Sequence, residues 1–130
     1  MLKVYLTAEI HPSEDPEKVK KAVMNVVDPK DEAKVELMKD MIRVEASENT
    51  IKKILQAVKD KDMVPLMLRL LNEGKKGDKF YLMLNKQAAY VGHIVMCDDP
   101  RESPLGPINV EFDSEAIQFL LANVRNKSYS

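Results

Sequence analysis

Tryptophan is absent, and cysteine occurs once, at Cys97. A lone cysteine closes no internal disulfide and has no second cysteine with which to build a zinc site, which fits a reducing compartment. It stands beside Asp98 and Asp99, whose negative charge raises a thiol's pKa and disfavours the reactive thiolate, so thiol catalysis is not expected. The two histidines, His11 and His93, fall in no helical metalloprotease spacing, and neither a metal nor an organic cofactor is expected. Glycine is scarce: Gly74, Gly77, Gly92 and Gly106 are scattered rather than clustered between a strand and a helix, which argues against a nucleotide-binding loop. Apolar runs are broken every few residues by Lys, Glu or Asp, so no stretch reaches the roughly 20 residues of a membrane span. Met1-Leu2-Lys3-Val4 leads straight into a strand pattern without a signal segment. The reading is a cytosolic, non-enzymatic protein.

What is present suffices for one packed domain covering residues 1–130, since 45% of the side chains are hydrophobic. The net charge of −1 hides an uneven distribution. Residues 1–50 carry 8 basic and 11 acidic side chains, residues 51–92 carry 9 and 4, and residues 93–130 carry 3 and 6. A basic middle of this kind attracts anions, although a solvated lysine-rich helix face gives the same count.

Periodicity predicts α+β architecture. Leu2, Val4, Leu6, Ala8 and Ile10 alternate with polar residues as in a strand with one buried face. Asp15 before Pro16 forms an N-cap and first-turn proline, followed by the stripe Val19, Ala22, Val23 and Val26. Val35 and Leu37, then Ile42 and Val44, predict two short strands around Lys39-Asp40. Ser47 or Asn49 caps a second helix with Ile51, Ile54, Leu55 and Val58 inward, and a third helix stops at Gly74. Strands are then expected over 79–84 and 89–96 around an Asn85-Lys86-Gln87 turn, with a sixth at Ile108 to Phe112 and a last helix opened by Ser114. The order β-α-β-β-α-α-β-β-β-α predicts a mostly antiparallel or mixed sheet of about six strands with the helices on one face, leaving strand order open.

Two patterns bear on nucleic acid. Gly74-Lys75-Lys76-Gly77 matches the GxxG loop of KH domains, but that loop joins two helices and this one leads into a strand, where a capping glycine and a solvated turn are the plainer reading. No RRM consensus is present in Phe80-Tyr81-Leu82-Met83 or Ala89-Tyr90-Val91-Gly92. Tyr5, Tyr81 and Tyr90 would form a stacking platform if all three lay on an exposed sheet face; half-buried sheet tyrosines are the plain alternative.

Leu84-Asn85-Lys86-Gln87-Ala88-Ala89-Tyr90-Val91-Gly92, with Glu102-Ser103-Pro104-Leu105-Gly106-Pro107-Ile108 and the opening strand, resembles an archaeal family of small uncharacterised RNA-binding proteins. The resemblance extends over essentially the whole chain, and relatives of the family are proposed to associate with the exosome. It implies a fold like that of the large-subunit ribosomal protein that binds 5S ribosomal RNA. It also implies RNA, or protein subunits of an RNA-processing assembly, as partners. The basic middle offers Lys75, Lys76 and Lys79, and the family motif Asn85, Lys86 and Gln87, as the candidate RNA-binding residues: a cation at Lys86 for phosphate, and two amides for phosphate, sugar or base edges. The amides serve equally well to satisfy loop backbone groups. The alternative function is a scaffold domain that receives another protein on the open sheet face.

Overall fold

The computed structural model describes residues 2–125. Its chain order is β1 (Val4–Glu9), α1 (Pro16–Val26), β2 (Lys34–Leu37), β3 (Met41–Ala46), α2 (Glu48–Asp60), α3 (Val64–Glu73), β4 (Phe80–Leu84), α4 (Lys86–Tyr90) and, after a 3-10 turn at Pro100–Glu102, β5 (Ile108–Phe112) and α5 (Ser114–Val124). The fold is α+β with a five-stranded sheet in the order β2-β3-β1-β5-β4, antiparallel throughout.

Alternation decides which face is covered. Val4, Leu6 and Ala8 of β1, Ile42, Val44 and Ala46 of β3, Leu82 and Leu84 of β4, and Ile108, Val110 and Phe112 of β5 are all buried. α1, α2 and α5 pack over these strands, each contributing an apolar stripe such as Ile51, Ile54, Leu55 and Val58 of α2. Tyr5, Thr7, Arg43, Glu45, Tyr81, Met83, Asn109 and Glu111 point the other way and are half-buried. No helix among the described residues is long and apolar enough to cross a membrane.

The expected fifth strand, over 89–96, is not formed, which leaves five strands where about six were expected. Asn85 is the N-cap of α4, its Oδ1 accepting from Ala88 N at 2.8 Å, and the Gln-Ala-Ala that follows favours a helical turn over an extended chain. Val91, which would have lain on the strand, is 65% exposed. After this turn the chain returns beside β4, with Asn85 N donating to Val95 O and Cys97 N donating to Met83 O. The apolar residues of 94–97 shield a sheet edge instead of forming a strand of their own.

The second helix is capped from a distance. Ser47 occupies the N-cap position, but its side chain makes no capping bond to the helix. The buried carboxylate of Asp31 accepts from Ser47 N, Thr50 N, Thr50 Oγ1 and Asn49 Nδ2 at 2.6–3.1 Å. Burial alone would raise the Asp31 pKa, but the bonds from Thr50 and Ser47 outweigh it and bring it from 3.8 to about 2.

Candidate nucleic-acid interface

Several lysines of the basic middle are engaged by the fold itself. Lys53 Nζ donates to Asn25 O at 2.8 Å and Val27 O at 3.3 Å, Lys59 Nζ to Asn123 O at 2.7 Å, and Lys61 Nζ to Ile94 O at 2.9 Å. Three lysines of this stretch thus hold carbonyls at the ends of α1 and α5 and after α4, where a cation complements the helix dipole or the unpaired oxygen. Arg69 is paired with Glu73 and Asp98.

Lys86 is buried. Its ammonium donates to Leu105 O at 2.6 Å, Glu9 O at 2.8 Å and the Glu14 carboxylate at 3.2 Å. It therefore sits inside the protein, at the first turn of α4, rather than in a solvent-facing turn. Asn85 is committed to its cap and donates to Glu102 O, and the Gln87 amide lies 3.0 Å from the Ser103 hydroxyl. The three residues occupy the far end of β4 from the three turn lysines; Lys86 is buried, Asn85 half-buried and Gln87 exposed.

Lys75, Lys76 and Lys79 lie in the α3–β4 connection. Lys76 and Lys79 exchange backbone hydrogen bonds across a tight turn whose Gly77 has φ +64°. Gly74 is required for a different reason: a Cβ there would stand 2.5 Å from the Tyr81 carbonyl oxygen. The GxxG pattern is thus a close helix–strand approach followed by a left-handed turn residue. Lys76 Nζ rests 5.5 Å from the centre of the Tyr81 ring and Lys79 lies 3.5 Å from Glu111, both on the open sheet face. Lys75 leans on Phe80, which belongs to the opposite face.

That open face is where aromatic and cationic groups meet. Tyr5 and Tyr81 both lie opposite Glu111, on either side of β5, which separates them by two strand spacings, about 10 Å. Arg43 stands over the Tyr5 ring at 4.4 Å, as Lys76 does over Tyr81. Burial, and then the negative charge of Glu111, raise the Tyr81 phenol above its ordinary value, and its hydroxyl donates to Glu111 at 3.3 Å. Beside Tyr81 is a hollow of about 530 Å³ with the cross-strand neighbours Thr7 and Asn109 in its wall, together with Met83, Glu73 and Asp98. Tyr90, the third tyrosine of the expected platform, is instead on α4, beneath Lys21.

A family model described as RNA binding matches residues 3–114. The chain belongs to this family. It is 40% identical over 110 residues to a UPF0201 protein of Metallosphaera sedula, spanning 83% of this chain and 76% of that one. It is 36% identical over 117 residues to a UPF0201 protein of Methanopyrus kandleri, spanning 84% and 73%. Among solved structures it resembles the UPF0201 protein from Methanococcus jannaschii, with a TM-score of 0.70 and 26% identity over 99% of this chain and 96% of that one.

The two peptides through which the chain resembles this family meet each other in space. Lys86 N donates to Ser103 Oγ, the Ser103 hydroxyl donates to Gly106 O at 2.7 Å, and Lys86 Nζ reaches Leu105 O. Together they lock α4 onto the loop before β5 and onto the end of β1. Sequence reasoning singled out Asn85, Lys86 and Gln87 of the first peptide as RNA contacts; Thr7, Arg43 and Asn109 it did not consider. The alternation that assigns them to the face opposite Leu6, Val44 and Val110 was the available signal.

Proposed function

We propose that the protein is a non-enzymatic RNA-binding module of ribosome-related or RNA-processing assemblies, and that unpaired nucleotides of a structured RNA lie on its open sheet face. The observation that carries this reading is the pair of half-buried tyrosines, Tyr5 and Tyr81, on one row of the sheet, each with a cation beside its ring. Bases stack on such rings whatever their sequence. Lys76 and Lys79, with Lys75 at the rim, meet phosphates, and the hydroxyl of Thr7 and the amide of Asn109 offer donors and acceptors to a base edge in the adjoining hollow. The family description supports RNA as the ligand. The helix side supports this face by contrast, since Lys53 and Lys59 of α2 and Lys61 just after it already serve backbone carbonyls.

Fluorescence anisotropy with labelled hairpin and single-stranded RNAs tests the reading. Replacing Tyr5 and Tyr81 together by Ala is expected to weaken binding by roughly 1–3 kcal/mol for each base unstacked. Undetectable binding at low salt, or equal binding by the double variant, would overturn the assignment and favour a protein partner on this face.

A further inference from the structure

The two edges of the sheet are treated differently. On β4 the outward-facing backbone is occupied: Met83 O accepts from Cys97 N, and Gly74 packs against Tyr81 O. Among the described residues β2 has no such cover; all four of its residues are exposed, and Val35, Leu37 and Met38 are 39%, 49% and 39% accessible. An uncovered edge strand is a template for another strand.

Its hydrogen-bonding groups can be assigned. Met38 N donates to Met41 O, and Ile10 N donates to Asp40 O. With the continuous pairing of Lys34 to Glu45, Glu36 to Arg43 and Leu37 to Ile42, these bonds make Lys34, Glu36 and Met38 the residues that bond inward to β3. Ladder bonds alternate in direction, so Val35 and Leu37 point their N–H and C=O groups outward. We propose that this edge pairs with the same edge of a second copy, antiparallel about a two-fold axis through Val35.

The sequence of the strand selects that register. Only odd-numbered residues present outward groups, so the axis passes through an odd residue or midway between two of them. An axis between Ala33 and Val35 puts Lys34 against Lys34, and one between Val35 and Leu37 puts Glu36 against Glu36; like charges directly opposed are destabilising. An axis through Leu37 leaves Glu36 facing Met38. An axis through Val35 places Val35 against its counterpart and Ala33 against Leu37. It also sets Lys34 of each copy against Glu36 of the other, in the narrow non-hydrogen-bonded pairs where Cα atoms are about 4.5 Å apart. Val35 and Leu37 share the face of Val44 and Ile42, so their exposed apolar surface is covered in the same step. Because this axis is perpendicular to the sheet, the two open faces lie on the same side, in one sheet of ten strands.

Sedimentation equilibrium of the full chain over a wide concentration range tests the pairing independently of any RNA. The unmodified protein is expected to dimerise reversibly. Val35→Pro removes the outward N–H and no bond to β3, and is expected to give a monomer with its circular dichroism unchanged. Lys34→Glu and Glu36→Lys are each expected to be monomeric alone, while an equimolar mixture of the two re-forms a dimer, since both cross-strand pairs then have opposite charge. A protein monomeric at millimolar concentration overturns the proposal and leaves the edge to a strand of another protein. A dimer that survives Val35→Pro, or a mixture that stays monomeric, overturns it equally.

Discussion

Lys86 Nζ lies 3.2 Å from Glu14 Oε1, with 5% and 9% of the two side chains exposed. Glu14 also accepts from His11 N, so the pair ties the loop after β1 to the start of α4. Breaking a buried ion pair leaves the partner charge uncompensated, at a cost of about 3–5 kcal/mol. Lys86→Ala is expected to lose stability in that range in urea unfolding. Lys86→Met combined with Glu14→Leu is expected to lose less than the two single changes added together, because no charge is stranded. Any loss of RNA binding by the single variants is expected to follow their loss of folded protein.

Acid stability is expected to depend on Asp31. Its folded pKa of about 2 lies below its ordinary value of 3.8, so the carboxylate contributes stability at pH values above about 4. That contribution is lost as pH falls from about 4 towards 2, as the folded group takes up its proton. The amount is roughly 2 kcal/mol. Comparing Asp31→Asn with the unmodified chain by chemical unfolding at several pH values checks the sign: the difference between the two should be largest near neutrality and shrink through that acidic window.

The turn lysines are expected to act on RNA through charge alone. Three phosphate contacts on a single-stranded segment give a slope of roughly −2 in log affinity against log salt. Changing Lys75, Lys76 and Lys79 together to Ala should remove most of that slope while thermal unfolding stays within about a degree or two, since exposed charges contribute little to stability. A control variant at Lys52, on the helix side, should leave the slope in place.

The two glycines of the turn should respond differently to alanine. Gly74→Ala would set a Cβ 2.5 Å from one backbone oxygen and 3.3 Å from another, those of Tyr81 and Leu70, and is expected to cost roughly 1–3 kcal/mol by forcing α3 away from β4. Gly77 has open space around it but a φ of +64°, so Gly77→Ala should cost about 1 kcal/mol, with Gly77→Asn milder. Denaturant midpoints that fall with unchanged slopes would register each change as a loss of stability.

Much of this architecture could be read from residue order, because burial on one side of an element leaves a period in the sequence. The alternation of β1, the Asp15-Pro16 start of α1 and the stripe of α2 each stated which side chains would be inward, and the antiparallel sheet with one covered face followed. The same logic failed at 89–96. There Ala89, Val91, His93 and Val95 imitate a strand, while the Asn85 cap and the helix-forming residues after it determine the local conformation. Side-chain chemistry was legible only as type. Lys86 and Lys76 are the same residue in neighbouring stretches, yet one ammonium is enclosed by Glu9 O, Leu105 O and Glu14 and the other rests beside Tyr81. The sequence by itself determined the elements other than α4, the buried face and the family motifs. Only the tertiary structure decided which cations stabilise the fold and which face outward, because that depends on carbonyls and carboxylates up to 77 residues away along the chain, whose approach no local pattern encodes.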